Sequence, residues 1–148
     1  MYGKELGRGK FGQVFLAQHL ETGFLVAIKK VQKYILRDER ILARFIEEIK
    51  LHSRLNHPNI VKFYGFFEEK DHICLVLEYL NGGTLFDHLN DVYTLDNEKA
   101  VVFLKQIISA LEYLHERKIM HRDIKPENIV ISSTGLAKLC DFGWSALG

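Results

Sequence analysis

The stretch His121-Arg122-Asp123-Ile124-Lys125-Pro126-Glu127-Asn128 concentrates acidic, basic and amide side chains in one short segment. A helix-like pattern precedes it and a short apolar run follows, which predicts a loop, and loops on a rigid scaffold often carry binding and catalytic residues. Asp141-Phe142-Gly143 comes shortly afterwards. An asparagine and an aspartate from two loops suit a hard cation that also takes phosphate oxygens. Asp123 would then accept a proton from a substrate hydroxyl, although each piece alone also fits a polar turn.

A second motif, Gly7-Arg8-Gly9-Lys10-Phe11-Gly12-Gln13-Val14, opens the chain. Glycines at this spacing also mark dinucleotide-binding folds, but there they open a helix. Here a β-branched run and a turn follow, which predicts a loop between two antiparallel strands. Glycines in such a loop let backbone N–H groups approach phosphate oxygens. A plain hairpin turn is the alternative for this motif by itself.

A third motif, Val26-Ala27-Ile28-Lys29, places a lysine inside an apolar strand. Burying an ammonium group is costly unless it finds an anionic partner. Nucleotide phosphates and an acid on the following helix are the candidates. Glu48 shares the helix face of Phe45 and is the acid we choose, whereas neighbouring Glu47 should be solvated. A surface lysine with a solvated glutamate is the alternative.

Apolar periodicity predicts strands and helices in mixed order along the chain. The predicted strands are residues 14–17, 24–29, 60–67, 73–78, 128–131 and 137–140, and the predicted helices are 38–55, 84–89 and 97–117. Asp96 is the expected N-cap of the last helix. Asn56-His57-Pro58-Asn59 should end the first helix, and Asn81-Gly82-Gly83 is a candidate hinge. The long helix carries an apolar face that we interpret as core packing: Ala100, Phe103, Leu104, Ile107, Ile108, Leu111 and Leu114.

Composition excludes several classes of protein. The chain has 148 residues, 47% of them hydrophobic, which is enough for one globular domain. A net charge of +1 gives no general attraction to nucleic acid or anionic lipid, so neither is an expected partner. No apolar run reaches the roughly 20 residues of a membrane span, and no signal-peptide core is present. We expect a soluble intracellular protein in which Cys74 and Cys140 are small buried hydrophobes in a reducing compartment.

Together the motifs resemble the signature set of eukaryotic protein kinases. The matching segments are Gly7–Val14, Val26–Lys29, His121–Asn128 and Asp141–Gly143, and they cover the chain almost end to end. Lys125, which follows Asp123 closely, is typical of the Ser/Thr branch. The finer sequence is similar to that of Aurora kinases: Gly7–Gly12, His57–Ile60 with Tyr64-Gly65, Leu77-Glu78-Tyr79, and above all Asp141–Ser145, in which Trp144 follows the glycine.

This resemblance implies ATP and Mg²⁺ as cofactors and gives each matching position a role. Lys29 would hold the α- and β-phosphates and pair with Glu48. Asn128 and Asp141 would hold Mg²⁺. Asp123 would act as the base and Lys125 would stabilise the transferring phosphoryl group. The implied catalytic residues are therefore Lys29, Glu48, Asp123, Lys125 and Asn128.

The same resemblance implies the nucleotide contacts. Adenine would lie between Leu6, Val14 and Ala27 on one side and Val130 on the other. Backbone groups of Glu78 and Leu80 would bind it, with Leu77 as gatekeeper. The full implied ATP-binding set is Leu6, Gly7, Gly9, Lys10, Gly12, Val14, Ala27, Lys29, Leu77, Glu78, Tyr79, Leu80, Gly83, Glu127, Asn128, Val130 and Asp141. A spine through both lobes would stack His52, Phe63, His121 and Phe142.

The implied fold is α+β and bilobal. Residues 1–77 would form an N-terminal lobe with an antiparallel sheet and an αC-type helix, 78–83 the hinge, and 84–148 an incomplete C-terminal lobe. No activation-loop threonine, Ala-Pro-Glu or large C-terminal helices follow Ser145 in this sequence. The helix at 97–117 would therefore lack its usual cover, and such an apolar patch predicts poor solubility, self-association or disorder of the isolated chain.

Two functions stay open from sequence. The first is a Ser/Thr protein kinase that transfers the γ-phosphate of ATP to protein substrates, with Glu127 reading a nearby basic residue and an activator peptide docking on the N-terminal lobe. By resemblance it would be mitotic, in cytoplasm and nucleus, at the spindle, centrosome or centromere. The second is a non-catalytic ATP-binding or interaction fragment of a degenerate kinase. The missing segments leave both hypotheses standing for this chain.

Overall fold

The computed structural model describes residues 1–9, 12–91, 95–141 and the backbone of 146–147. The chain divides into two compact units, which we call the first unit (Met1–Arg54 and Lys62–Tyr79) and the second unit (Leu55–Val61 and Leu80–Gly148). The domain boundaries expected from sequence at residues 78 and 84 stay a prediction. No helix among the described residues is long and apolar enough to cross a membrane.

Among the described residues, the first unit contains a five-stranded antiparallel sheet, one α-helix and the short 3-10 helix Ile35–Arg37. The strands are β1 (Tyr2–Arg8), β2 (Gly12–Gln18), β3 (Leu25–Gln32), β4 (Phe63–Glu68) and β5 (His72–Glu78), and the helix between β3 and β4 is α1 (Glu39–His52). The strand order is β1-β2-β3-β5-β4, with every neighbouring pair antiparallel. The α+β class and the antiparallel sheet predicted from sequence are confirmed.

Both faces of this sheet carry buried apolar side chains, because successive residues of a strand point to opposite faces. On one face Val31 and Leu75 pack with Phe45 of α1. On the other face Ala17, Ile28 and Cys74 form a second cluster. The expected burial of Cys74 is confirmed. The same expectation for Cys140 is wrong: this side chain is only partly buried, because it lies after the end of a short strand whose residues fill the interior.

Capping residues fix the start of α1. Asp38 accepts hydrogen bonds from the backbone N–H groups of Arg40 and Ile41, which the first turn of a helix leaves without partners. The helix ends at His52, earlier than the predicted residue 55. The strand predicted to begin at residue 60 begins at Phe63, because Ile60 forms a bridge with Leu139 in the second unit.

The second unit contains α2 (Leu85–Asn90), α3 (Asn97–Glu116), β6 (Ile119–Met120), β7 (Ile129–Ile131), β8 (Ala137–Leu139) and β9 (Ala146–Leu147). β7 pairs with β8 and β6 pairs with β9, both antiparallel. Asn128, predicted to begin a strand, instead ends the short 3-10 turn Pro126–Asn128, because its N–H donates to the carbonyl of Lys125. Thr84 and Asp87 form a capping box at α2.

The helix α3 begins as predicted, since Asp96 accepts a hydrogen bond of 2.9 Å from the N–H of Lys99. Its buried residues are Phe103, Ile107, Ala110 and Leu114. Two residues of the predicted core face do not belong to it: Leu104 is 59% and Ile108 45% exposed. Each follows a buried residue by one position, which turns it about 100° around the helix and away from the core. These two side chains form an exposed apolar stripe on α3.

Candidate active site

The lysine of the third sequence motif meets its predicted partner in the first unit. Nζ of Lys29 on β3 lies 3.0 Å from Oε1 of Glu48 on α1. The Lys29 side chain is 21% exposed and that of Glu48 is 9% exposed, so the pair is largely shielded from water. Glu47, the alternative acid, is exposed. The choice of Glu48 over Glu47 is confirmed, and the surface-lysine alternative is wrong.

Three apolar residues assigned to adenine share one face of the sheet with Lys29. Val14 of β2 lies opposite Lys29, and Ala27 of β3 lies opposite Leu77 of β5. Cross-strand partners point to the same face, and so do residues two apart on one strand. Ala27 is buried, and Leu6 on β1 is 37% exposed. The first unit thus places Val14, Ala27 and Leu77 on the same face of the sheet as the shielded Lys29–Glu48 pair.

The glycines of the second motif have different physical requirements. Gly12 pairs with Val31, and a Cβ at Gly12 would overlap the carbonyl oxygen of Lys30, so close strand pairing requires this glycine. Among the described residues, a Cβ at Gly7 would meet no atom within 4 Å, and a Cβ at Gly9 would lie 3.8 Å from the carbonyl oxygen of Gly12. Packing against the described residues therefore does not explain these two glycines. Lys10 lies outside the described residues.

Two of the four predicted spine residues touch within the first unit. The rings of His52 on α1 and Phe63 on β4 have centroids 5.6 Å apart, with an interplanar angle of 47°. His52 is buried. His121, the third residue, is buried in the second unit, and Phe142 lies outside the described residues. The stacking of His52 with Phe63 is confirmed, and the rest of the spine stays a prediction.

In the second unit, Asn128 and Lys125 contact the predicted base, Asp123. Nδ2 of Asn128 donates to Oδ2 of Asp123 at 3.0 Å and to the Asp123 carbonyl oxygen at 2.9 Å. Nζ of Lys125 lies 3.7 Å from the other carboxylate oxygen, Oδ1. Asn128 is buried, whereas Lys125 is about half exposed. The amide therefore orients the carboxylate from inside while the ammonium faces outward.

His121 connects Asp123 to the residue before Asp141. Its Nδ1 accepts the N–H of Asp123 at 3.2 Å, so its Nε2 carries the proton and donates to the carbonyl oxygen of Cys140 at 3.0 Å. Burial lowers the pKa of His121 below its usual value, more than its acceptor carbonyl and nearby carboxylates raise it. The ring is thus neutral at pH 7 and fixes both segments in one geometry.

Cys140, the residue before Asp141, forms hydrogen bonds through both its N–H and its carbonyl oxygen. The N–H of Cys140 donates to the carbonyl oxygen of Asn128 at 2.9 Å, and the Cys140 carbonyl accepts from His121. Asp141 has φ of +57° and Arg122 has φ of +64°. Such left-handed backbone costs about 1–3 kcal/mol for a residue other than glycine and is often found at functional sites. The second unit therefore brings the predicted metal residues Asn128 and Asp141 to adjoining backbone.

In the second unit, hydrogen bonds with β7 hold Gly82 and Gly83, two glycines of the predicted hinge. Gly82 donates to the carbonyl of Ile131, and Ile131 donates to the carbonyl of Gly83, each at 2.8 Å. Gly83 has φ of +77°, a conformation that favours glycine. Val130 forms a bridge with Thr84, while Glu78 ends β5 and Tyr79 and Leu80 follow it. Glu127, in the turn Pro126–Asn128, is exposed.

The donor set fits a magnesium ion bound together with phosphate. The two bonds from Asn128 to Asp123 use Nδ2, so its amide oxygen remains as a hard ligand, and Asp141 adds an exposed carboxylate. Across the described residues, no group of three or more His, Cys, Asp or Glu side chains is arranged to hold a metal alone. Mg²⁺ typically uses one or two protein oxygens and completes its shell with water and phosphate oxygens.

Sequence reasoning missed an amide pair that supports β8. Nδ2 of Asn59 donates to Oε1 of Gln106 on α3 at 2.9 Å and to the carbonyl of Ala137 at 3.0 Å. Gln106 Oε1 also accepts the Ala137 N–H at 2.9 Å. From sequence, Asn59 was assigned to a helix stop and to the kinase-like segment His57–Ile60, and its burial was not expected. A polar residue inside the apolar context of Ile60 and Val61 was the available signal for its burial.

Comparison with known proteins shows to which protein family the chain belongs. The family model described as protein kinase domain matches residues 1–147. The chain therefore belongs to the protein kinase family, whose members use ATP and Mg²⁺.

Particular relatives narrow the similarity to Aurora kinases, as the sequence motifs indicated. An Aurora kinase of Eremothecium gossypii is 42% identical over 98% of this chain, which corresponds to 40% of the relative. Aurora kinase A-A of Xenopus laevis is 41% identical over 97% of the chain and 35% of the relative. An Aurora kinase of Schizosaccharomyces pombe is 44% identical over 97% of the chain and 40% of the relative. The chain thus spans about two fifths of the length of these curated relatives.

Proposed function

We propose that this chain carries the nucleotide-binding and catalytic-loop part of a Ser/Thr protein kinase. The observation that carries the proposal is the orientation of Asp123 by Asn128 and Lys125, in a chain whose Lys29 forms a shielded pair with Glu48. An oriented carboxylate suits proton abstraction. A lysine that a glutamate holds in place suits the α- and β-phosphates of ATP.

The proposed reaction transfers one phosphoryl group. A Ser or Thr hydroxyl oxygen bonds to the γ-phosphorus of ATP, the bond from that phosphorus to the β–γ bridging oxygen breaks, and ADP leaves. The hydroxyl proton passes to the carboxylate of Asp123. Lys125, 3.7 Å from that carboxylate, stabilises the negative charge of the transferring group. Asn128 and Asp141 would hold Mg²⁺, which would neutralise negative charge on the phosphates when bound.

Adenine recognition is proposed for the apolar residues assigned from sequence. Val14, Ala27 and Leu77 support the proposal because they share the sheet face of Lys29. The set is completed by Leu6, Gly7, Gly9, Lys10, Gly12, Glu78, Tyr79, Leu80, Gly83, Glu127 and Val130. Leu77→Trp should exclude adenine while filling an already apolar position. Unchanged ATP affinity in that variant would refute the assignment.

Protein substrates, activation and location are also proposed from the resemblance to Aurora kinases. Glu127 would select a basic residue near the target Ser or Thr, and its exposure permits such a contact. An activator peptide would dock on the first unit, and the whole protein would act in mitosis at the spindle, centrosome or centromere. A fluorescently tagged full-length protein that stays uniformly distributed through mitosis would contradict the proposed location.

A phosphate-transfer assay tests the central proposal. The chain is incubated with Mg·[γ-³²P]ATP and a basic Ser/Thr-containing protein, with Asp123→Asn as the matched control. Label transfer that falls by several orders of magnitude in Asp123→Asn supports catalysis. Equal incorporation by both proteins, or none by either, would refute catalysis by this chain.

A non-catalytic nucleotide-binding fragment is the second candidate, and the exposed stripe on α3 favours it. Leu104 and Ile108 leave apolar surface on α3 of the second unit. In this case Mg·ATP binds and raises the melting temperature, while no label is transferred. Label transfer that depends on Asp123 would exclude this candidate.

A further inference from the structure

The segment Leu55–Val61 follows α1 in sequence but belongs to the second unit. Backbone hydrogen bonds attach it there. The N–H of Asn56 donates to the Tyr113 hydroxyl of α3 at 2.9 Å. On the other side, Leu139 of β8 donates to the carbonyl of Asn59, and Val61 donates to the carbonyl of Leu139, each at 2.9 Å. We refer to this attachment as the 55–61 junction.

His57 lies in the middle of the junction, and its hydrogen bonds define its protonation. Nδ1 lies 3.0 Å from the N–H of Asn59 and must accept that hydrogen bond, so Nδ1 carries no proton. Nε2 lies 3.2 Å from Oγ of Ser109 on α3 and therefore bears the single proton and donates it to the hydroxyl. The observed contacts require the neutral imidazole.

The groups around the ring disfavour a second proton. The His57 ring packs against Tyr113 with centroids 5.0 Å apart, and the Arg117 guanidinium lies 3.6 Å from the centre of the same Tyr113 ring. Tyr113 of α3 and Arg117, which directly follows α3, are thus titratable groups near the ring. Leu139 of β8 bonds through its backbone to Asn59 and Val61 of the same segment. Burial, and to a smaller extent the charge of Arg117, lower the pKa of His57.

We propose that His57 makes the 55–61 junction a proton-sensitive attachment, which holds while the imidazole is neutral and opens when it is protonated. A proton on Nδ1 would face the Asn59 N–H as donor against donor and would add a cation near Arg117. Opening would release the chain segment that immediately follows α1, the helix that carries Glu48. No nucleotide or metal is needed for this step, so it stands apart from the proposed kinase activity.

The expected pH dependence follows from linkage. Because the pKa of His57 is lower in the folded chain than its ordinary value of about 6.5, the open state binds the proton more tightly. The junction is therefore fully held above about pH 6.5 and weakens as the pH falls towards the folded pKa. Within that window amide protection falls by up to about tenfold per pH unit.

Amide exchange of the whole 148-residue chain tests the proposal. Protection factors for Asn56, Asn59 and Val61, corrected for intrinsic exchange, are measured by NMR between pH 8 and 5, while the His57 ring signals give its tautomer and pKa. His57→Asn is the matched control, because an asparagine Oδ1 takes the place of Nδ1 and accepts the same N–H without titrating. Arg117→Gln removes the nearby cation.

The expected results differ for each protein. In the original chain the amide protection factors fall as His57 becomes protonated, whereas in His57→Asn they stay constant with pH. In Arg117→Gln the pH at which protection is half lost moves to a higher value. Constant protection in the original chain, or a parallel fall in His57→Asn, would overturn the proposal. If His57→Asn does not fold, the ring signals decide: a proton on Nδ1 at pH 7.5 or a pKa at or above 6.5 would overturn it.

Discussion

Replacing Glu48 by glutamine should destabilise the first unit, because it leaves the Lys29 ammonium beside a neutral amide in a shielded place. Breaking a fully buried ion pair costs about 3–5 kcal/mol, whereas an exposed pair contributes only about 0.2–1 kcal/mol. Glu48 is 9% exposed and Lys29 is 21% exposed, which puts this pair nearer the buried limit with some solvent relief. We expect a loss of about 2–3 kcal/mol in the free energy of unfolding.

Urea unfolding at pH 7, followed by far-ultraviolet circular dichroism, measures this loss. Glu47→Gln is the matched control, since Glu47 is exposed on the same helix and its substitution should change stability by less than about 0.5 kcal/mol. Lys29→Met and the double variant complete a cycle that should give a coupling energy of at least about 1 kcal/mol. If Glu48→Gln unfolds at the same urea concentration as Glu47→Gln, the pair is not shielded and the reasoning fails.

Three further predictions use other parts of the structure. Gly12→Ala should lower the free energy of unfolding by about 1–3 kcal/mol, because its Cβ would overlap the Lys30 carbonyl oxygen. Gly7→Ala should unfold at the same urea concentration as the original chain but bind Mg·ATP more weakly. A larger loss of stability in Gly7→Ala than in Gly12→Ala would contradict this. Leu104→Lys should reduce self-association in analytical ultracentrifugation, since Leu104 is 59% exposed. An unchanged sedimentation profile would show that the exposed apolar stripe on α3 does not cause self-association. Gly82→Ala should destabilise the second unit, because a Cβ would lie 2.6 Å from the Ile131 carbonyl oxygen; an unchanged melting temperature would refute the close approach.

Local patterns were sufficient to predict much of the fold. Asp96 as an N-cap needs only its own side chain and the next turn, and the observed bond to Lys99 confirms it. Glu48 could be chosen over Glu47 because a helix turns about 100° per residue, which separates neighbouring side chains. These features depend on short-range geometry, so a single sequence contains the information.

Features that depend on long-range packing were predicted less well. Ile60 looked like the start of a strand, but its pairing with Leu139 takes it into the second unit. Cys140 lies in an apolar run, yet the strand ends before it and leaves it only partly buried. The pairing of Asn59 with Gln106 joins positions far apart in sequence, and no local periodicity indicates it.

Calorimetric titration of the chain with Mg·ATP tests the central claim most directly. We expect one binding site, with affinity reduced at least about tenfold in Lys29→Met and in Asp141→Asn, because each variant loses a charge-assisted contact. Glu47→Gln should bind like the original chain. Absence of binding by the original chain, or equal binding by all four proteins, would contradict the claim that these residues form a kinase nucleotide site.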